Sequence, residues 1–93
     1  MLEGEGTLFE NNQSGNRYIY QGNWRRGARD GQGHYNYPDG SEYRGTWRNN
    51  KKDGYGVFSS RGNRYEGEWV QNMRHGNGRL ILTNGITIKG VWT

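Results

Sequence analysis

Three pentapeptides align without gaps in this chain: YQGNW at Tyr20 to Trp24, YRGTW at Tyr43 to Trp47 and YEGEW at Tyr65 to Trp69. A weaker fourth, IKGVW, runs from Ile88 to Trp92. The tryptophans step by 23, 22 and 23 residues. Seven residues after each of the first three comes a Gly-x-Gly, at Gly31 and Gly33, Gly54 and Gly56, and Gly76 and Gly78; a further pair, Gly4 and Gly6, opens the chain. A lone Gly-x-Gly constrains little. Its recurrence at a fixed offset from Tyr-x-Gly-x-Trp means that one supersecondary unit is repeated and that neighbouring units share their packing.

Each unit reads as a β-hairpin. Turn signals separate its halves: Pro38-Asp39-Gly40, Ser60-Arg61-Gly62 and Thr83-Asn84-Gly85. Asp-Gly and Asn-Gly tolerate the positive φ of tight hairpin turns. The first unit carries a longer turn around Asn11 to Gly15, an insertion that costs little loop entropy. Between hairpins the linkers Arg25 to Asp30, Arg48 to Asp53 and Val70 to His75 also align. They place Gly27, Asn50 and Asn72 together, all types that accept the left-handed region. No stretch has helical apolar periodicity. These signals predict an all-β chain: a single-layer, twisted, elongated antiparallel sheet of four consecutive hairpins, units about 4–24, 31–47, 54–69 and 76–92 of one array over 1–93.

Strand alternation assigns the faces. Tyr20, Gly22 and Trp24 point one way, Gln21 and Asn23 the other. In the first strand of each unit the residue two beyond the Gly-x-Gly is apolar: Leu8, Tyr35, Phe58 and Leu80. One face is therefore aromatic and aliphatic with glycine gaps. Glycine weakens a strand by roughly 0.5–1 kcal/mol, so its place between Tyr and Trp suggests that rings from neighbouring strands lie flat over the bare backbone. Composition agrees. Only 29% of the residues are hydrophobic, too few for an ordinary layered core, yet four Trp, seven Tyr and two Phe are a large apolar payload. There is no cysteine, which removes disulfides and thiolate metal sites.

Tyr-x-Gly-x-Trp, a linker, Gly-x-Gly and an Asp/Asn-Gly turn together resemble the MORN (membrane occupation and recognition nexus) repeat, from Gly4 to Trp92. The chain departs from it in the first-turn insertion and in Ile88, where the repeat has Tyr. The resemblance implies a non-catalytic binding module whose arrays hold an extended or helical partner segment in an aromatic groove, or pair with another copy. It also implies a proposed membrane role, with phosphoinositides as the ligand often suggested.

The residues themselves point to binding rather than catalysis. His34 and His75 are too far apart in sequence to suggest a pair; His34 is expected solvated on the polar face, and His75 in a linker hydrogen bond. Glu66 and Glu68 read as surface charges, and no helix follows any Gly-x-Gly to make a phosphate loop. No catalytic residue, cofactor or metal is expected. A single-layer sheet leaves its aromatic face without a covering layer, so Tyr20, Trp24, Tyr35, Tyr43, Trp47, Phe58, Tyr65, Trp69 and Trp92 are the candidate groove for a protein partner. Arg25, Arg26, Arg29, Arg48, Lys51, Lys52 and Arg74 are expected along one edge, an alternative site for anionic phospholipid. Aromatic platforms flanked by Arg also serve single-stranded nucleic acid, but each glycine here has a repeat-structural reason, so that partner is disfavoured. The last strand, with Lys89 alone among Ile86, Thr87, Ile88, Val91 and Trp92, is the edge expected to support weak self-association; Glu3, Glu5 and Glu10 guard the first. Met1 to Gly4 does not open a signal peptide and no apolar run approaches a membrane span, so the expected location is cytoplasmic, at a membrane or cytoskeletal structure. Both ends fall in phase with the repeat, as in a segment of a longer array.

Overall fold

A computed structural model describes residues 1–12 and 15–93, with the backbone alone over the described part of 10–18. Eight strands follow in order: β1 (Gly4–Asn12), β2 (Gly15–Arg25), β3 (Ala28–Asn36), β4 (Glu42–Arg48), β5 (Lys51–Ser60), β6 (Asn63–Val70), β7 (Met73–Ile81) and β8 (Thr87–Trp92). Each pairs antiparallel with its sequence neighbours, giving one open meander in the order of the chain. Its extents are 40 × 31 × 15 Å, those of a single layer. The all-β hairpin sheet expected from the repeat is the fold. The insertion lengthens β1 and β2, which stay paired out to Asn12 and Gly15; the tip of that turn, residues 13 and 14, lies outside the described residues.

The segments read as linkers are themselves two-residue turns. Arg26 and Gly27 (φ 53° and 78°), Asn49 and Asn50 (51° and 70°), and Gln71 and Asn72 (47° and 72°) are all left-handed, as the turn that follows strand twist requires. The second and third are each tied to the start of the strand that follows the previous turn. The Asn50 amide donates to the Arg29 carbonyl while its Oδ1 accepts from the Arg29 amide at 2.8 Å; Asn72 does the same to Lys52. Asp30 and Asp53 accept from the Asn49 and Gln71 amides. Asparagine at these places therefore serves both conformation and bonding. Asp39 and Asn84 act differently: the positive φ belongs to the following Gly40 and Gly85, and their side chains accept from Ser41 and Ile86 amides.

Rings on one face replace a second layer. The edge-to-face chain Trp24–Tyr20–Trp47–Tyr43–Trp69–Tyr65–Trp92 has centroid separations of 5.1 to 5.6 Å and interplanar angles of 81° to 90°. Among the described residues Tyr20, Tyr43, Tyr65, Trp47 and Trp69 are the buried hydrophobic ones, the tyrosines at 0–1% exposure. Each such tyrosine lies across the second glycine of the next Gly-x-Gly, and its hydroxyl donates to a carbonyl three residues on: Asn23 at 2.9 Å, Thr46 at 3.0 Å and Glu68 at 3.3 Å. Trp47 and Trp69 donate to the carbonyls of Gly33 and Gly56 at 3.4 and 3.3 Å.

Gly67 and Gly90 hold the same place in successive repeats, and neither has positive φ. A Cβ at Gly67 would meet Gly78 Cα and the Tyr65 hydroxyl, both at 2.7 Å; at Gly90 the only neighbour is Trp92, at 3.9 Å. Gly67→Ala should therefore cost roughly 1–3 kcal/mol, as overpacking does, and Gly90→Ala well under that, as judged by chemical denaturation. Equal losses would contradict ring-over-glycine packing.

Candidate functional site

The aromatic face is built by the period-two alternation of strands and by a bulge that preserves it. Opposite Gly22–Trp24 of β2, the register of β3 shifts by two residues, so that Gly22 faces Gly33 but Trp24 faces Arg29. Trp47 faces Lys52, and Trp69 faces Arg74, across equivalent shifts. Gly54 in the second of these bulges has φ +103°, open to glycine at no steric cost. Because the excess is two residues, the cation returns to the same face as the tryptophan.

Arg29, Lys52 and Arg74 therefore leave the edge where the sequence reading put them. The Arg29 guanidinium stands 4.8 Å from the Trp47 ring and 4.9 Å from Tyr35. The Lys52 ammonium stands 4.5 Å from Trp69 and 5.2 Å from Phe58, and Nζ donates to the Tyr37 hydroxyl at 3.3 Å. Arg74 stands 4.8 Å from Tyr65. Burial, reinforced by Arg74, holds the Lys52 amine below its usual range. Arg25, Arg26, Arg48 and Lys51 are exposed at or beside the turns and form the edge proper.

The nine expected groove residues divide in two. Tyr20, Tyr43, Trp47, Tyr65 and Trp69 are core and hold the sheet; they are too buried to be the contact surface. Trp24, Tyr35, Phe58 and Trp92 are half-buried upon that core and are available, together with Leu80 and Tyr37. Tyr37 was missed because Pro38 makes it look like turn. Its alternation with Tyr35 was the signal, and its ring packs 4.7 Å from Tyr35 and 5.7 Å from Phe58. Two shallow hollows adjoin the cations, one between Arg29 and Lys52 lined by Tyr35, Tyr37 and Trp47, the other beside Arg74 lined by Phe58, Tyr65 and Leu80, with Arg61 and Arg64 at its rim.

The opposite face is polar. A hollow on it, beside Tyr55, Glu66, Glu68, Arg79 and Lys89, is wide open and carries both signs of charge. Glu66 already bonds Arg79 and Arg64, each at 2.7 Å, and the Arg79 hydrogen bond holds its carboxyl below the usual range. His34 is not solvated as expected. It is buried, with Nε2 2.7 Å from Glu42 Oε1, because β2 and β4 flank it on both sides. His75 is exposed. Among the described residues no cluster of three metal-ligating side chains exists, and no helix is long and apolar enough to cross a membrane.

These features define a class, the solenoid-like β-hairpin array with one ring-lined face. The family model for the MORN repeat matches three times in succession, over residues 20–42, 43–64 and 65–87. The chain belongs to the MORN repeat family, whose repeats are binding and scaffold modules rather than catalytic units. No curated protein matches it. Each matched unit starts at a tyrosine and extends to the strand whose glycine that tyrosine covers, so the family's repeat is the ring-over-glycine unit itself.

Burial raises the hydroxyl pKa of Tyr20 from 10.0 to about 12, and raises those of Tyr43 and Tyr65. A raised folded pKa gives stability that is complete below the ordinary value near 10 and is lost as pH rises through the folded value. Lys52, lowered by burial, has the opposite sign, but its penalty is relieved by the time pH reaches the ordinary lysine value, before most of the tyrosine loss. The sheet should lose stability above pH of about 10. In a titration of tyrosinate ultraviolet absorbance, Tyr20, Tyr43 and Tyr65 should ionise only as the β circular dichroism disappears. Ionisation of these three with the fold intact would contradict the burial.

Proposed function

We propose that the chain binds a segment of a partner protein along its aromatic face. One observation carries this: half-buried Trp24, Tyr35, Tyr37, Phe58, Leu80 and Trp92 lie on the ring core with no covering layer among the described residues. Exposed apolar strips of this kind mark interaction sites, and amphipathic cations among them add orientation to area. The lipid alternative rests on the edge cations Arg25, Arg26, Arg48 and Lys51, which are exposed at or beside the turns. Salt dependence alone does not separate the two readings, since Arg29, Lys52 and Arg74 put charge on the aromatic face as well. A second copy is a further candidate partner through β8, whose Ile88 and Val91 are 47% and 71% exposed.

Site-specific variants separate them. Tyr43 is unsuitable, being core. Peptides selected from a random display library against the chain should lose about tenfold or more in affinity with Phe58→Ser or Leu80→Ser, the scale of a central contact. The Arg48→Glu/Lys51→Glu pair should change binding by less than about threefold, as rim charges do. All variants are first checked for retained β circular dichroism. If the edge reversal abolishes binding of peptides, or of vesicles containing anionic phospholipid, while the face variants leave it intact, the edge is the site.

A further inference from the structure

The aromatic face carries three cations that no carboxylate of the chain pairs with among the described residues. Asp30 and Asp53, next in sequence to Arg29 and Lys52, hold turn amides; Glu42 and Glu66 bond His34 and the Arg64/Arg79 pair on the opposite face, where Glu68, the acid nearest Arg74 in sequence, also lies. Arg29 lends one nitrogen to the Asn50 carbonyl, yet its buried Nε has no acceptor. These are charges partly withdrawn from water, held over rings and short of an anion. Withdrawal from water raises the worth of an incoming carboxylate above that at an exposed edge.

Their spacing is regular. Arg29, Lys52 and Arg74 hold the same place in successive repeats, two strands apart. Strands lie about 4.8 Å apart, so the cations recur at a pitch of about 10 Å across the sheet. An α-helix lying across the strands advances about 10.5 Å in seven residues and returns to the same face within about 20°. An extended strand covers that distance in about three residues but turns every second group away. A polyproline helix has a similar pitch, but its recognition needs open aromatic faces, and here guanidinium and ammonium groups cover them.

We propose that the aromatic face takes an amphipathic helix of a partner protein, laid across the strands, whose acidic side chains recur about every seventh residue and meet Arg29, Lys52 and Arg74 in turn. The apolar side chains between those acids enter the hollows at Tyr35, Tyr37 and Trp47 and at Phe58 and Leu80. This rests on the reading of the aromatic face as the binding surface and adds to it the pattern the partner carries.

Three labelled helical peptides of about three heptads test it. One has Glu at a single heptad position flanked by Leu, the second has the same composition with the Glu residues respaced off the heptad, and the third has Gln for Glu. Each is titrated against the full chain by fluorescence anisotropy. The heptad peptide should bind about tenfold or more tighter than either control, and Lys52→Gln or Arg74→Gln should narrow that gap. Equal affinity for the heptad and respaced peptides overturns the spacing; if Phe58→Ser still weakens both, the aromatic face stands as the site without it. Absence of binding by the heptad peptide overturns the proposal. Binding that Phe58→Ser leaves unchanged overturns the proposal and the choice of face together.

Discussion

A tyrosine ring lying flat on a glycine of the next strand is the contact on which this sheet depends. A Cβ on Gly33 or Gly56 would occupy the space of the Tyr20 or Tyr43 ring and hydroxyl. With that space open, the ring sinks to the backbone, its hydroxyl finds a carbonyl, and tryptophans from two repeats close on its edges. Edge-to-face pairs contribute about 0.5–1.5 kcal/mol each beyond their buried area. A continuous run of them gives a chain of low hydrophobic content an interior without a second layer. Stability is then a sum over neighbouring repeats, as in other solenoid-like arrays.

That economy has a functional consequence. A core one ring deep leaves its upper side partly uncovered, and the half-buried aromatics there are the outer surface of the same packing that holds the sheet. The cations complete it. By returning Arg29, Lys52 and Arg74 to the ring face, the bulges make a surface that is apolar and positive at once, at a pitch set by the strands. The edge cations Arg25, Arg26, Arg48 and Lys51 are a separate feature, free to serve solubility or an anionic surface. On the proposed reading, folding and binding draw on adjacent side chains of one repeat, so substitutions at Tyr43 or Trp47 would report on the first and those at Phe58 or Leu80 on the second.

The fold was legible because its two periods are unusually plain: a repeat in the low twenties and an alternation of two within each strand. The core tyrosines and tryptophans followed from that alternation. How far they are buried did not, since burial depends on the ring sinking over glycine, a cross-strand contact that no single strand displays. Arg29, Lys52 and Arg74 were misplaced for a related reason. Reading 25–30 as a linker hid the fact that parity runs back from Gly33 through Gly31 to Arg29 across a bulge of even size. Tyr37 was lost to the turn signal of Pro38, and His34 was assigned to solvent because polar-face parity does not reveal the flanking strands that cover it.

The central claim is that rings couple from repeat to repeat, and a double-mutant cycle measures it most directly. Tyr43 and Trp69 belong to different repeats and touch at 5.5 Å. Replacing each by Leu, singly and together, should give a coupling of about 0.5–1.5 kcal/mol by chemical denaturation, whereas Tyr20 and Trp92, with four rings between them in the run, should be additive. Additivity of Tyr43 and Trp69 would contradict the account, for it would mean that the rings are buried side by side without holding one repeat to the next.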